Sequence, residues 1–456
     1  MKLSGTKLSL GPVICPHAGS NTALMNSLAR PFANPLVQTS DFDSDAIKPM
    51  TLCVVPNAQE FLRFAVPAKY MELVRQFDGE RTEEEAIQAF LADNPDDFTS
   101  ARLHRLVHES LMPKGLIVYP HQDLTCAGTS NQNKRSFLFV KLPIIPPSVV
   151  DAVATHFAFL FQRPALILGL ILFITSHIYV YAGLVSRHSL NLDHLDAKSI
   201  LLIMLLSTLG TLCHEFGHAS AAAHFGCRRM TIGWGIYIIY TVLWTNVSEA
   251  WRLPRRQRAI VDIGGVYFES LFLLLLLGLY IGTDNKVYLL SFIFIDLSIA
   301  RTFNPFLRMD GYWLLSDLLG IVNLRQQQTA WYGEIISKVL GRNPPANCSN
   351  LSERARRILG IYSISTILFM TYLLYIVFTV VVLQVAAGLP GMIVKFVDDV
   401  SAGLPVLTLL GGAIEIIWRT LILLGTATLL HTLLTKARRM ARQIRAVRAS
   451  PRYGAA

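Results

Sequence analysis

The chain has 456 residues, 52% of them apolar and 16% charged, with a formal net charge of +10. An ordinary soluble domain carries about 25% charged residues, and the mean hydropathy here is +0.43, so composition excludes a purely soluble protein. The positive charge reads as membrane topology and attraction to anionic lipid, not as nucleic-acid binding.

Residues 1–49 read as a polar tail with no sustained period. Its start, MKLSGTKLSLGPVICPHAGSN, lacks the apolar core and cleavage site of a signal peptide. The first span is therefore expected to direct the chain as well as anchor it. Residues 50–120 read as a small domain. TLCVV and FLRFAV predict short strands, and AKYMELVRQFDG predicts an amphipathic helix stopped by Gly79. Thr82 with Glu85 forms a capping box for the helix EEEAIQAFLA. SARLHRLVHESLMPKG predicts a third helix and LIVYP a closing strand. That order predicts a small α+β, winged-helix-like module. Residues 121–163 combine a polar linker, HQDLTCAGTSNQNKR, with an apolar stretch broken by prolines, which fits the membrane interface better than a span.

Residues 164–434 hold six apolar runs near or above the roughly 18 residues of a membrane span. They lie near Pro164–Gly183, Ser199–Ala223, Ala259–Gly282, Val287–Phe306, Ile358–Ala387 and Leu404–Leu434. The expected fold is mainly α, a polytopic membrane protein with about six transmembrane helices. Residues 435–456 form a basic tail with seven Lys or Arg. The loop from Arg228 to Arg258 holds six more, and that from Arg308 to Arg357 seven. The remaining loops are poor in both, so the positive-inside rule puts both termini and the rich loops in the cytoplasm. The six cysteines form no CxxC pair, and reduced thiols are the default on that side.

The second apolar run ends in HEFGH. On a helix, His214 and His218 are one turn apart and can chelate one Zn²⁺, and Glu215 beside them can take a proton from water. Each ionisable group at membrane depth costs about 2.5–3.5 kcal/mol on insertion scales. Three in five residues therefore demand a reason. A third ligand could be His224, at almost the spacing at which a glycine turn returns a third histidine to the metal. The turn position is Ala221 within SAAAHFG, however, which favours continued helix and puts His224 on another face. The other candidate is Asp310 in FNPFLRMDGYW, where Asn304-Pro305 breaks the fourth run. Runs two and four cross in the same direction, so HEFGH and MDG reach the same depth. This favours Asp310. Asp262 and Glu269, seven apart on the third run, share a helix face. They either line a watery approach to the metal or are, respectively, interfacial and bonded to a neighbouring helix. Glu415 and Arg419 have the spacing of an intrahelical pair. His177, His188, His194 and His431 lack partner spacing and read as bystanders.

HEFGH together with NPFLRMDG resembles the site-2 protease family of intramembrane zinc metallopeptidases. The longer runs HEFGHASAAAHFG, SEAWRLPRRQR and FNPFLRMDGYWLLSDLLGIVNLR resemble its bacterial peptide zinc metallopeptidase branch, over roughly residues 136–434. The resemblance implies a zinc metalloendopeptidase of the bacterial cytoplasmic membrane with His214, His218 and Asp310 as ligands and Glu215 as general base. It implies that Asn304 positions substrate or the attacking water. FDGERTEEEAIQAF and LVHESLMPKGLIVYP resemble a PqqD-like domain, which implies recruitment of a leader-bearing precursor peptide by strand addition. The expected partners are the lipid bilayer and a peptide or membrane-protein substrate, with no nucleic acid. Two other readings are regulated proteolysis of a signalling protein, and a non-proteolytic export or immunity protein with structural zinc.

Overall fold

The structure, a computed structural model, describes residues 30–45, 49–56, 61–95, 98–120, 124, 140–185, 196–237, 240–339, 341 and 351–449. It divides into two compact units, Met1–Phe42 with Lys48–Ser136, and Asp43–Ile47 with Phe137–Ala456.

In the first unit, strands β1 (Phe32–Ala33), β2 (Gln38–Phe42), β3 (Met50–Pro56) and β4 (Phe61–Pro67) precede helices α1 (Ala68–Arg75), α2 (Glu83–Asp93) and α3 (Ser100–Leu106). A wider π-helical turn, Val107–Leu111, extends α3, and β5 (Ile117–Val118) closes the unit. Strands β2, β3 and β4 form an antiparallel sheet in that order, while β5 pairs with β1 instead. Strands β1 and β2 thus lie within residues 1–49, the expected tail. Their polar QTSDF and two-residue FA carry almost no apolar alternation, the signal that marks a strand in sequence. The core buries Leu73, Phe77, Ile87, Phe90, Leu103 and Leu111. The capping box forms as expected. The Thr82 backbone N–H donates to Glu85 Oε2 at 2.8 Å, and the Glu85 N–H to Thr82 Oγ1 at 3.3 Å. A cap of this kind contributes about 1 kcal/mol.

The second unit is mainly helical. It contains α4 (Pro147–Phe157), α5 (Arg163–His177), α6 (Ala197–His224), α7 (Arg255–Thr283), α8 (Lys286–Thr302), α9 (Asp310–Leu319), α10 (Leu324–Val339), α11 (Glu353–Ile376), α12 (Ala386–Ser401) and α13 (Val406–Ala449). Among the described residues, five helical stretches, not six, are long and apolar enough to cross a membrane: Arg163–Val185, Lys198–His224, Arg255–Thr283, Glu353–Ser401 and Thr408–Thr432. The expected fourth span is α8. Its 17 residues extend about 26 Å, short of a hydrocarbon core of about 30 Å.

Helices α6 and α7 pack together at a meeting of small residues. A Cβ on Gly217 would stand 2.2 Å from the Gly264 carbonyl oxygen, and one on Gly264 2.9 Å from the Ala221 Cβ. Only glycine at both positions lets the backbones approach this closely. A three-stranded antiparallel sheet adjoins them, with β6 (Val140–Ile145), β7 (Ile232–Tyr237) and β8 (Tyr240–Thr245) in that order. The proline-broken stretch expected at the interface is therefore strand β6 followed by the short helix α4, which packs on α6. Pro143 is tolerated because β6 is an edge strand.

Candidate metal centre

Helix α6 runs unbroken through HEFGH to His224. His214 and His218 therefore project from one face, one turn apart. His224 Nδ1 instead lies 3.1 Å from the Ala158 carbonyl oxygen, at an exposed position. Asp310 opens helix α9 after a tight turn. Asn304 Oδ1 accepts the Phe306 N–H at 2.9 Å, and Tyr362 donates to the Pro305 carbonyl at 3.0 Å. Gly311 is required beside it, because a Cβ there would sit 2.1 Å from the Phe303 carbonyl oxygen. Asn304 thus shapes the turn that delivers Asp310.

Three ligand atoms converge. Asp310 Oδ2 lies 2.7 Å from His214 Nε2 and 3.2 Å from His218 Nε2, and the two Nε2 atoms are 3.1 Å apart. Both outer nitrogens are engaged. His218 Nδ1 donates to the Val261 carbonyl at 2.7 Å, and His214 Nδ1 to Glu269 Oε2 at 2.9 Å. A carbonyl only accepts, so the His218 proton sits on Nδ1; the Glu269 carboxylate imposes the same on His214. The two lone pairs then face Asp310. Helix α7 leaves room for the rings only because it has no side chain there. A Cβ on Gly265 would stand 2.5 Å from His214 Nε2 and 2.6 Å from His218 Nε2.

Two nitrogen lone pairs and a carboxylate oxygen repel one another at this separation unless a cation or proton lies among them. A tetrahedral zinc with bonds of about 2.0–2.1 Å spaces its ligands about 3.3 Å apart, close to what is seen here. The donor set fits His₂Asp with a fourth position free, a combination suited to zinc. Glu215 is buried in the same region, 7% exposed, and Thr245 Oγ1 lies 2.6 Å from its Oε2.

Several groups beyond the motifs complete the region. Glu269 is bonded to His214 on the neighbouring helix α6, the second of the two readings its sequence position allowed. Thr245 and Gly265 carry no sequence signal at all, since each acts through an element distant in the chain. Arg258, buried one turn before Asp262, donates to Asp317 Oδ1 at 2.7 Å, to the Leu253 carbonyl at 2.9 Å and to the Asp43 carbonyl at 3.1 Å. Asp262 Oδ2 is buried without a hydrogen-bond partner among the described residues. His177 is no bystander: its Nε2 lies 3.1 Å from Asp296 Oδ1, and Tyr181 donates to Asp296 Oδ2 at 2.5 Å. His188 and His194 lie outside the described residues, and His431 is exposed. Glu415 and Arg419 form the expected pair at 2.8 Å. No family model, curated protein or solved structure matches the chain.

Proposed function

We propose that the chain is an intramembrane zinc metallopeptidase of the site-2 protease type. It would hydrolyse a peptide bond in a membrane-associated protein, or in a ribosomally made peptide recruited by the N-terminal unit, at the bacterial cytoplasmic membrane. The observation that carries this reading is the convergence of His214, His218 and Asp310, one residue from a buried Glu215. His214 Nε2, His218 Nε2 and Asp310 Oδ2 would hold the zinc. When bound, zinc acidifies a water and polarises the scissile carbonyl.

The chain's own residues do the rest. Glu215 accepts the proton of the attacking water and returns it to the leaving amine. Thr245 keeps its carboxylate in one orientation. Glu269 and Val261 keep both imidazoles in the ligating tautomer. The outer edge of β8 has no strand partner among the described residues, and its last residue is Thr245. An extended substrate added to that edge would run past the base. A helical substrate must unwind first, because its peptide bonds are engaged within the helix.

The test uses purified protein in liposomes with a panel of transmembrane peptides labelled at both ends. Wild type should cleave at least one of them, and Glu215→Gln none while keeping its zinc. Asp310→Ala should lose one zinc per chain and His224→Ala should lose none. Equal cleavage by Glu215→Gln, or unchanged zinc in Asp310→Ala, sinks the reading.

A further inference from the structure

The first unit carries a second set of metal-binding side chains, and the function proposed above makes no use of it. Glu83, His104 and His108 bring one ligand atom each to within 4.8 Å of one another. Glu83 is the first residue of α2. His104 lies on α3 and His108, four residues on, in the π-helical turn that extends it. Glu83 Oε1 stands 2.8 Å from His104 Nδ1 and 2.9 Å from His108 Nε2.

A fourth residue supplies the outer partner that a metal-bound histidine keeps. Glu84 Oε2 lies 2.7 Å from His104 Nε2, the nitrogen that faces away from the cluster. A histidine that binds metal through one ring nitrogen almost always donates the other N–H to a carboxylate or carbonyl. With Glu84 taking the Nε2 proton, the Nδ1 lone pair of the neutral ring is aimed at Glu83 and His108. The same arrangement holds His214, through Glu269, at the membrane centre.

We infer that Glu83, His104 and His108 form a divalent transition-metal site on the N-terminal unit, oriented by Glu84 and separate from the membrane centre. Two imidazoles and one carboxylate select zinc, nickel or copper over magnesium or calcium, which prefer all-oxygen ligands. The side chains of His104 and His108 are 36% and 55% exposed, so an ion enters and leaves from solvent. A bound ion ties the start of α2 to the end of α3.

The experiment uses the full chain in detergent, stripped with a chelator and titrated with Zn²⁺ alone. Bound zinc is counted after gel filtration, and Co²⁺ absorption reports the ligands. Wild type should hold two ions per chain. His104→Ala/His108→Ala and His214→Ala/His218→Ala should each hold one. Glu83→Gln, a near-isosteric surface change, should lose the first unit's ion without disturbing the fold. Glu84→Gln should weaken it about 10–100-fold. If His104→Ala/His108→Ala and Glu83→Gln retain as much zinc as wild type, the site does not exist. One ion that is lost only with His214 and His218 also rules this site out, and leaves the proposed protease intact. One ion that is lost only with His104 and His108 upholds this site and removes the membrane one.

Discussion

Glu269 and Val261 decide which nitrogen of each histidine is free, so they govern affinity without touching the proposed zinc. Removing such an outer carboxylate weakens metal binding about 10–100-fold. Glu269→Ala should do so in a chelator competition while helix content by circular dichroism stays unchanged. An affinity equal to wild type would show that the bond to His214 Nδ1 is incidental. Gly265→Ala makes a harsher change. Its Cβ would fall within 2.6 Å of both Nε2 atoms, far inside van der Waals contact, so the rings must move. It should lose the membrane-site zinc yet still fold; full zinc retention would mean that α7 shifts instead. Thr245→Val should cut hydrolysis and leave zinc content unchanged, because the hydroxyl touches Glu215 and no ligand. At this scale, His214, Glu215 and His218 were legible because their spacing acts within one helical turn. Asp310 was legible because a helix break and a turn mark it. Thr245 and Gly265 were not, since a glycine in IVDIGGVYF shows nothing of what it will face. His177 misled for the same reason: its partner Asp296 is more than a hundred residues away.

Among elements, the α6–α7 crossing holds the centre together. Both helices are apolar on many sides, so the hydrophobic effect cannot choose which faces meet inside a membrane. Close approach of small residues chooses them. Gly264→Leu would drive a large side chain against Gly217 and Ala221. Overpacking of this kind costs about 1–3 kcal/mol, and thermal unfolding in detergent should fall by several degrees with zinc binding weakened. An unchanged transition would place the crossing elsewhere. The long apolar helices were legible from hydropathy alone, and α2 from its capping box. Strands β1, β2 and β6 were not. Two of them are short or polar, and β6 carries Pro143; each owes its existence to a partner strand and not to its own pattern.

For the molecule as a whole, composition announced a membrane protein because lipid-facing helices must be apolar over a full bilayer thickness. Five stretches among the described residues meet that length, so alkaline carbonate should leave the chain in the membrane pellet; release into the supernatant would contradict it. The stretch Glu353–Ser401, at 49 residues, extends about 74 Å, more than twice the hydrocarbon thickness. That excess length was legible in the apolar run from Ile358 to Ala387, which already exceeds a simple span. The pairing of Val140 with Ile236 has a further consequence, for biogenesis. Ribosomes add about 5–20 residues per second, so β6 waits on the order of 5–20 s for its neighbour. Thr245 and then Asp310 emerge later still. On the proposed reading, a nascent chain therefore carries HEFGH across the insertion machinery without the residue that would clamp its base or the carboxylate that would complete its metal site. The proposed protease would then be latent during synthesis through the order in which its parts are delivered, with no inhibitory segment needed to impose it.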